Sequence, residues 1–304
     1  MKRFISIFLC ASLLLLSGCT AKTNDNKNVI AVSFYPVYIL TLNVTDGIDS
    51  LSVECMADQS TGCLHDYTVT AKDARLLSDC RAFIINGAGM EAFVEDLYET
   101  VDDLSIIDSS EGASVISAEA HEEEEHHQHA HNHSHSENAH IWMSVDNAIL
   151  QVENICNGLV AEFPQYEAQL VANAGKYIDT LLSLKEELST VKKSVQGKSV
   201  VTFHNAYEYL FSDLGVEVAH TIESGEGGEP SAKALGELSE EIVNENIKSL
   251  FIEPGYEGSS AEILSNETGA QVYTLNPVLS GAEEKTAYED IMRENLQIIL
   301  KAVK

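Results

Sequence analysis

The chain has 304 residues, with 18 Lys and Arg against 48 Asp and Glu, for a formal net charge of −30. Neutralising phosphates needs a basic face, so this acidity excludes nucleic acid as a partner. A hydrophobic fraction of 44% and a charged fraction of 22% exclude a wholly disordered acidic chain and, at this length, suit two folded domains. Eleven residues are His, most of them crowded between His121 and His135. Acid and imidazole together point toward cations.

The chain begins with a basic start at Lys2 and Arg3, an apolar run from Phe4 to Leu16 and small residues before Cys19. That run is too short to cross about 30 Å of hydrocarbon and ends at a small-residue site, as an export signal does. Leu16-Ser17-Gly18-Cys19 looks like a bacterial lipobox, which makes residues 1–18 a signal peptide and Cys19 the lipidated first residue of the mature protein. Plain secretion is the alternative. Residues 19–28 are polar and suit a tether. The expected place is the outer face of a bacterial cell membrane, held by lipid on Cys19.

Strand-like runs then alternate with helical stretches: Val29 to Phe34, Leu51 to Cys55, Ala82 to Gly87 and Leu104 to Asp108. Near-continuous apolar runs of this kind are how parallel strands of an α/β sheet read, so residues 29–143 form a first lobe. Within it, Cys55 and Cys63 lie close together in an oxidising compartment, and a disulfide between them would pin the loop that carries His65. Cys80 opens a predicted strand and Cys156 lies on an amphipathic helix, so both read as buried small hydrophobes.

Residues 109–138 interrupt the pattern with the low-complexity core HEEEEHHQHAHNHSHSE. It has almost no apolar side chain to repay the entropy of ordering, so a mobile loop is expected. A solvated charge run explains Glu122 to Glu125 but not the imidazoles His121, His126, His127, His129, His131, His133 and His135. Such groups are mostly neutral at pH 7 and bind Zn²⁺, Cu²⁺ or Ni²⁺, which predicts weak, exchanging metal sites.

Residues 144–196 read as helical. From Tyr166, the residues Leu170, Ala174, Tyr177, Leu181, Leu184, Leu188, Val191 and Val195 recur at steps of three and four. Pro164 suits a first turn and Gly197 an end, giving one helix over about 165–196, roughly 45 Å long. A heptad coiled coil is the alternative. A continuous helix between two lobes would be stiff and resist wide hinge opening. A second strand series follows at Ser199 to His204, Val216 to His220, Lys248 to Pro254 and Ala270 to Leu275, so residues 197–304 form a second α/β lobe.

Four His lie outside the loop: His65, His140, His204 and His220. The first three stand at predicted element ends, where open α/β sheets bind ligands. The motifs around them, LHDY (64–67), NGAGME (86–91), HIWMSVDNA (140–148), TFHNAYEYL (202–210), EPSAKAL (229–235), the run from Phe251 to Val278 and the closing MRENLQIIL, resemble in order the metal-binding lipoproteins of ABC importers for zinc and manganese. The likeness runs from about Val29 to the C-terminus and is closest to the zinc branch, of ZnuA and AdcA type, which carries a His-rich loop before its second metal His.

The resemblance implies two similar lobes with parallel-type sheets, joined by one long rigid helix, with the metal in the cleft between them. It implies that His65, His140 and His204 are the ligands, that Zn²⁺ is the cargo, and that a permease and its ATPase are partners of a monomeric receptor. Three neutral imidazoles suit Zn²⁺, whereas Mn²⁺ favours carboxylate oxygens. Ser144 and Val145 replace the usual Asp-Pro, so the following turn is expected to differ. After Leu275-Asn276-Pro277 many members place an acid, where Leu279 cannot ligate; water, or Glu283 or Glu284 on a folded-back loop, would complete the site. His220 is expected to be structural or to support a ligand.

The competing readings are a manganese or broader divalent-metal receptor, a secreted zinc hydrolase and a zinc-sequestering adhesin. Three His with an open position also build catalytic zinc. No H-E-x-x-H occurs and no general base stands out beside a ligand, so the chain is read as a receptor and not an enzyme.

Overall fold

The computed structural model describes residues 28–59, 64, 67–117, 137–222, 230–256 and 258–303. The signal peptide, Cys19 and most of the tether, together with Cys63, His65 and the seven loop His, lie outside the described residues.

All eight apolar runs form strands, each within a residue or two of its expected bounds. The first sheet contains β1 (Val29–Val32), β2 (Ser52–Cys55), β3 (Ala82–Ile85) and β4 (Ser105–Asp108), parallel and in the order β2-β1-β3-β4. The second contains β5 (Ser199–Thr202), β6 (Glu217–Thr221), β7 (Ser249–Ile252) and β8 (Gln271–Thr274), parallel and in the order β6-β5-β7-β8. The two orders are the same permutation. In each sheet the chain first moves to one side of its opening strand and then crosses to the other, which opens a crevice beyond the carboxyl ends of β1 and β3, and of β5 and β7.

The first-lobe helices are α1 (Tyr35–Val44), α2 (Ala71–Asp79) and the single turn α3 (Glu95–Tyr98). Next come α4 (Val145–Glu162) and α5 (Glu167–Val195); the second lobe adds α6 (Glu208–Leu214), α7 (Ala232–Asn244), α8 (Ser260–Thr268) and α9 (Ala287–Ala302). Local chemistry sets several ends. Thr70 and Asp73 close a capping box at the start of α2, and Gly215, at φ +65°, supplies the left-handed residue that stops α6.

The long helix follows a 3₁₀ turn at Pro164–Tyr166 and runs 29 residues, about 43 Å at 1.5 Å per residue. Its buried residues are Leu170, Ala174, Tyr177, Leu181, Leu184, Leu188 and Val195, the expected stripe, with Val191 half-buried. This stripe packs on α1 and α4 at one end and on α6 and α9 toward the other, so the periodicity serves both lobes rather than a coiled coil.

Strand side chains alternate between two different interiors. Ile30, Val32 and Ile84 of the first sheet and Val200 and Phe251 of the second share one continuous core with α1, α4, α5, α6 and α9. Ala31, Phe83 and Ile85 face a separate cluster with α2, and Val201 and Leu250 face another with α7 and α8. The lobes are therefore not independent bodies on a hinge.

One local expectation is revised. Cys80 does not open a strand; it is the half-buried C-cap residue of α2, its Sγ 3.5 Å from Leu77 O, and burial pushes its thiol up to about 11. Among the described residues Cys55 has no disulfide partner, its Sγ donating to Ala57 O at 3.3 Å; its expected partner Cys63, and with it the expected bridge, lies outside the described residues. Cys156 is buried on α4, as its helical position suggested. Among the described residues, no helix is long and apolar enough to cross a membrane.

Candidate metal centre

His204 stands two residues beyond β5, and Glu253 one residue beyond the neighbouring strand β7, so both sit at the crevice of the second sheet. His204 Nδ1 and Glu253 Oε2 are 3.2 Å apart, with the imidazole 13% and the carboxylate 34% exposed. His140 arrives from the first lobe. It is only 1% exposed and leads into a 3₁₀ turn, Ile141–Met143.

That turn is held by Trp142, whose side chain is fully buried. Its Nε1 donates to Pro277 O at 2.8 Å, and its carbonyl accepts from Tyr288 Oη at 2.8 Å. Both partners lie after β8, so a first-lobe segment is locked to the second lobe. The rings of His140 and His204 come within 4.8 Å, nearly perpendicular at 87°, and Trp142 packs on the far side of His140 at 5.1 Å.

Hydrogen bonding sets the chemistry of the imidazoles. His140 Nδ1 lies 2.8 Å from Asn138 Oδ1, and His204 Nδ1 faces the Glu253 carboxylate; with Nδ1–H donated to these acceptors, each neutral ring carries its lone pair on Nε2. An imidazole whose other nitrogen donates to a carboxylate or carbonyl is the usual form of a metal ligand.

The third expected His, His65, lies outside the described residues; among those described, no three His, Cys, Asp or Glu assemble with metal-holding geometry. Glu283 lines a cleft of about 550 Å³ with Tyr35, Tyr38, Cys55 and Asp58, whose lining includes neither His140 nor His204; there burial first, and then the Glu283 charge, push the Cys55 thiol up to about 12. The loop is kept there because Tyr35 Oη donates to Ala282 O at 2.6 Å and Gly281 N donates to Gln59 Oε1 at 2.9 Å. Glu284 is exposed on the same loop.

His220 lies on β6 beside Val201, with Nε2 at 3.6 Å from Glu241 Oε2 and 3.9 Å from Glu245 Oε2 on and just beyond α7. Ser144, in place of the usual acid, donates its Oγ to Asp213 Oδ2 at 2.9 Å, a tie from the start of α4 to the end of α6. Asn138 and Glu253, the partners of the two imidazoles, were missed by sequence reasoning. The available signals were an Asn two residues before His140 and an acid just past an apolar strand.

Two parallel-sheet lobes sharing a core along one long helix, with imidazoles meeting between them, define a rigid two-lobed solute-binding protein. The chain belongs to the ZnuA family, zinc-uptake complex component A, periplasmic, whose profile matches residues 30–302. It is 32% identical over 297 residues to the zinc-binding lipoprotein AdcA of Streptococcus pneumoniae strain R6, covering 96% of this chain and 58% of that one. It is 27% identical over 312 residues to the high-affinity zinc uptake system protein ZnuA of Bacillus subtilis, covering 98% and 97%. The chain thus spans a little over half of its AdcA relatives. Among solved structures, the Zn(II)-bound ZnuA-like domain of S. pneumoniae AdcA superposes with a TM-score of 0.75 at 28% identity, over 91% of this chain and 99% of that one. A ZnuA crystal structure gives 0.77 at 23% identity, over 91% and 100%, a likeness of fold.

Proposed function

We propose that the protein is an extracytoplasmic receptor, lipid-anchored through Cys19, that captures Zn²⁺ between its lobes and delivers it to an ABC permease driven by an ATPase. The observation that carries this reading is the meeting of His140 and His204, one from each lobe, with rings 4.8 Å apart and each Nδ1 facing an acceptor. Family membership and the naming of relatives as zinc-binding proteins support it. His65 supplies the third imidazole and water the fourth position, with Glu283 lining the neighbouring cleft instead. Three nitrogen ligands favour Zn²⁺ over Mn²⁺. The His-rich loop adds weak sites, and the protein works as a monomeric receptor rather than an enzyme.

Calorimetric titration tests the reading. Replacing His204 with Ala in a protein lacking residues 119–137 should weaken tight Zn²⁺ binding by at least a hundredfold, and the loop deletion alone should remove only weak equivalents. Unchanged tight binding in the His204→Ala protein would sink the ligand assignment. Competition in which Mn²⁺ displaces Zn²⁺ at equal concentration would turn the reading toward a manganese receptor.

A further inference from the structure

Asn138 is 3% exposed, and every polar atom of its side chain is used between the two lobes. Its Oδ1 accepts from the His140 backbone N–H at 3.0 Å and faces His140 Nδ1 at 2.8 Å. Its Nδ2 donates to Asn205 O at 2.9 Å and to Glu208 Oε2 at 2.8 Å. Both of these second-lobe partners are acceptors, so the NH₂ end must face them and the carbonyl end must face His140. A flipped amide would set its N–H groups against the His140 N–H and its oxygen against a carboxylate.

Two consequences follow from this one orientation. With a carbonyl oxygen as its neighbour, His140 Nδ1 must carry the proton, which leaves the lone pair on Nε2. The amide is also a rigid planar spacer, one end on the segment bearing His140 and the other on the carbonyl of the residue that follows His204. The Asn138 backbone is itself fixed: its N–H donates to Ile116 O at 2.8 Å, and its carbonyl accepts from Tyr209 Oη at 2.5 Å. Tyr209 Oη in turn accepts from Ile116 N at 3.0 Å, closing the arrangement with a second-lobe side chain.

We propose that Asn138 is the positioning residue of the metal centre, whose single side-chain amide both selects the His140 tautomer and sets the separation of the segments carrying His140 and His204. This rests on the reading of those two His as zinc ligands. Partners of this kind change metal affinity by about 10–100-fold when removed.

The test uses the full chain and has two readouts. Long-range ¹H–¹⁵N spectra of the metal-free protein report the His140 tautomer, and competition with a chelator of known affinity reports Zn²⁺ binding. Asn138→Ala should convert a single Nδ1–H tautomer into a mixture and weaken Zn²⁺ by about 10–100-fold. The paired change Asn138→Asp with Glu208→Gln keeps an acceptor for His140 and gives the new carboxylate a donor, so it should retain the tautomer and bind Zn²⁺ more tightly than Asn138→Ala. Asn138→Ala with the parent tautomer and affinity within threefold overturns the proposal, as does a folded paired variant no better than Asn138→Ala on both readouts. His140→Ala separates the two levels. Full Zn²⁺ affinity there overturns the zinc-ligand reading itself, whatever the tautomer spectra show.

Discussion

The two lobes repeat one strand permutation but put different chemistry at the same place. Two residues past β5 stands His204; two residues past β1 stands Phe34, whose ring packs edge-on against Trp142 at 5.0 Å. One residue past β7 stands Glu253, partly exposed and facing an imidazole; one residue past β3 stands Asn86, buried. The acid of the first crevice, Glu91, is only 3% exposed, and its oxygens accept from Asn86 N at 2.8 Å and Gly87 N at 3.0 Å. A duplicated scaffold thus supplies two crevices. One is filled by buried side chains, and the other keeps a partly exposed His–Glu pair.

The sharpest way to break this contrast is at Trp142, where the filled crevice meets the site. Trp142→Ala should lose about 3–5 kcal/mol in urea unfolding, because it removes a fully buried ring and its bond to Pro277 O. A loss below about 1 kcal/mol would mean that the interlobe lock is weak.

Glu91 and Glu253 test the contrast from opposite sides. Burial raises Glu91 from an ordinary 4.5 to about 7. Its contribution to stability is therefore fully present below pH 4.5 and is lost as pH rises through about 7, a swing on the order of 3 kcal/mol. Glu91→Gln cannot ionise, so unfolding free energies measured from pH 4 to 8 should show a flatter slope, with Zn²⁺ affinity within threefold of the parent. Glu253→Gln should act on the other quantity, weakening Zn²⁺ affinity by about 10-fold, because the carboxylate acceptor at His204 Nδ1 is gone. If both variants moved the same quantity, the division of labour between crevices would be wrong. The smallest effect is expected at Ser144→Ala, which removes the bond to Asp213 and should cost about 1 kcal/mol in the same unfolding assay.

The strands and the long helix were readable because their signals are local: an apolar run bounded by turns, or a stripe at steps of three and four. His140 and His204 stood out because each lies in a local motif, His204 just past β5 and His140 at the start of a 3₁₀ turn. The partners were not. That Asn138 presents its oxygen to His140 depends on Asn205 and Glu208, which are brought beside it by the packing of α6 against the first lobe, and Glu253 reaches His204 only because β7 pairs with β5. Glu283 shows the opposite case. Its position after the Leu275-Asn276-Pro277 run left it open as a ligand, and the contacts of Gly281 and Ala282 with Gln59 and Tyr35 turn it into another cleft. The one shared core was equally invisible, since alternation along a strand says that two faces are buried but not which neighbours bury them.

That shared core has a kinetic meaning for any ion held above it. Because Leu170 through Val195 on α5 pack the halves together, the core resists their swinging apart to release an ion captured as proposed. Such an ion would then leave by exchanging one donor atom at a time, with local fraying of a ligand-bearing segment as the slow step. For an ion held as proposed, residence time would then depend on the contacts of Asn138 with His140 and of Glu253 with His204, and loosening either one would shorten it.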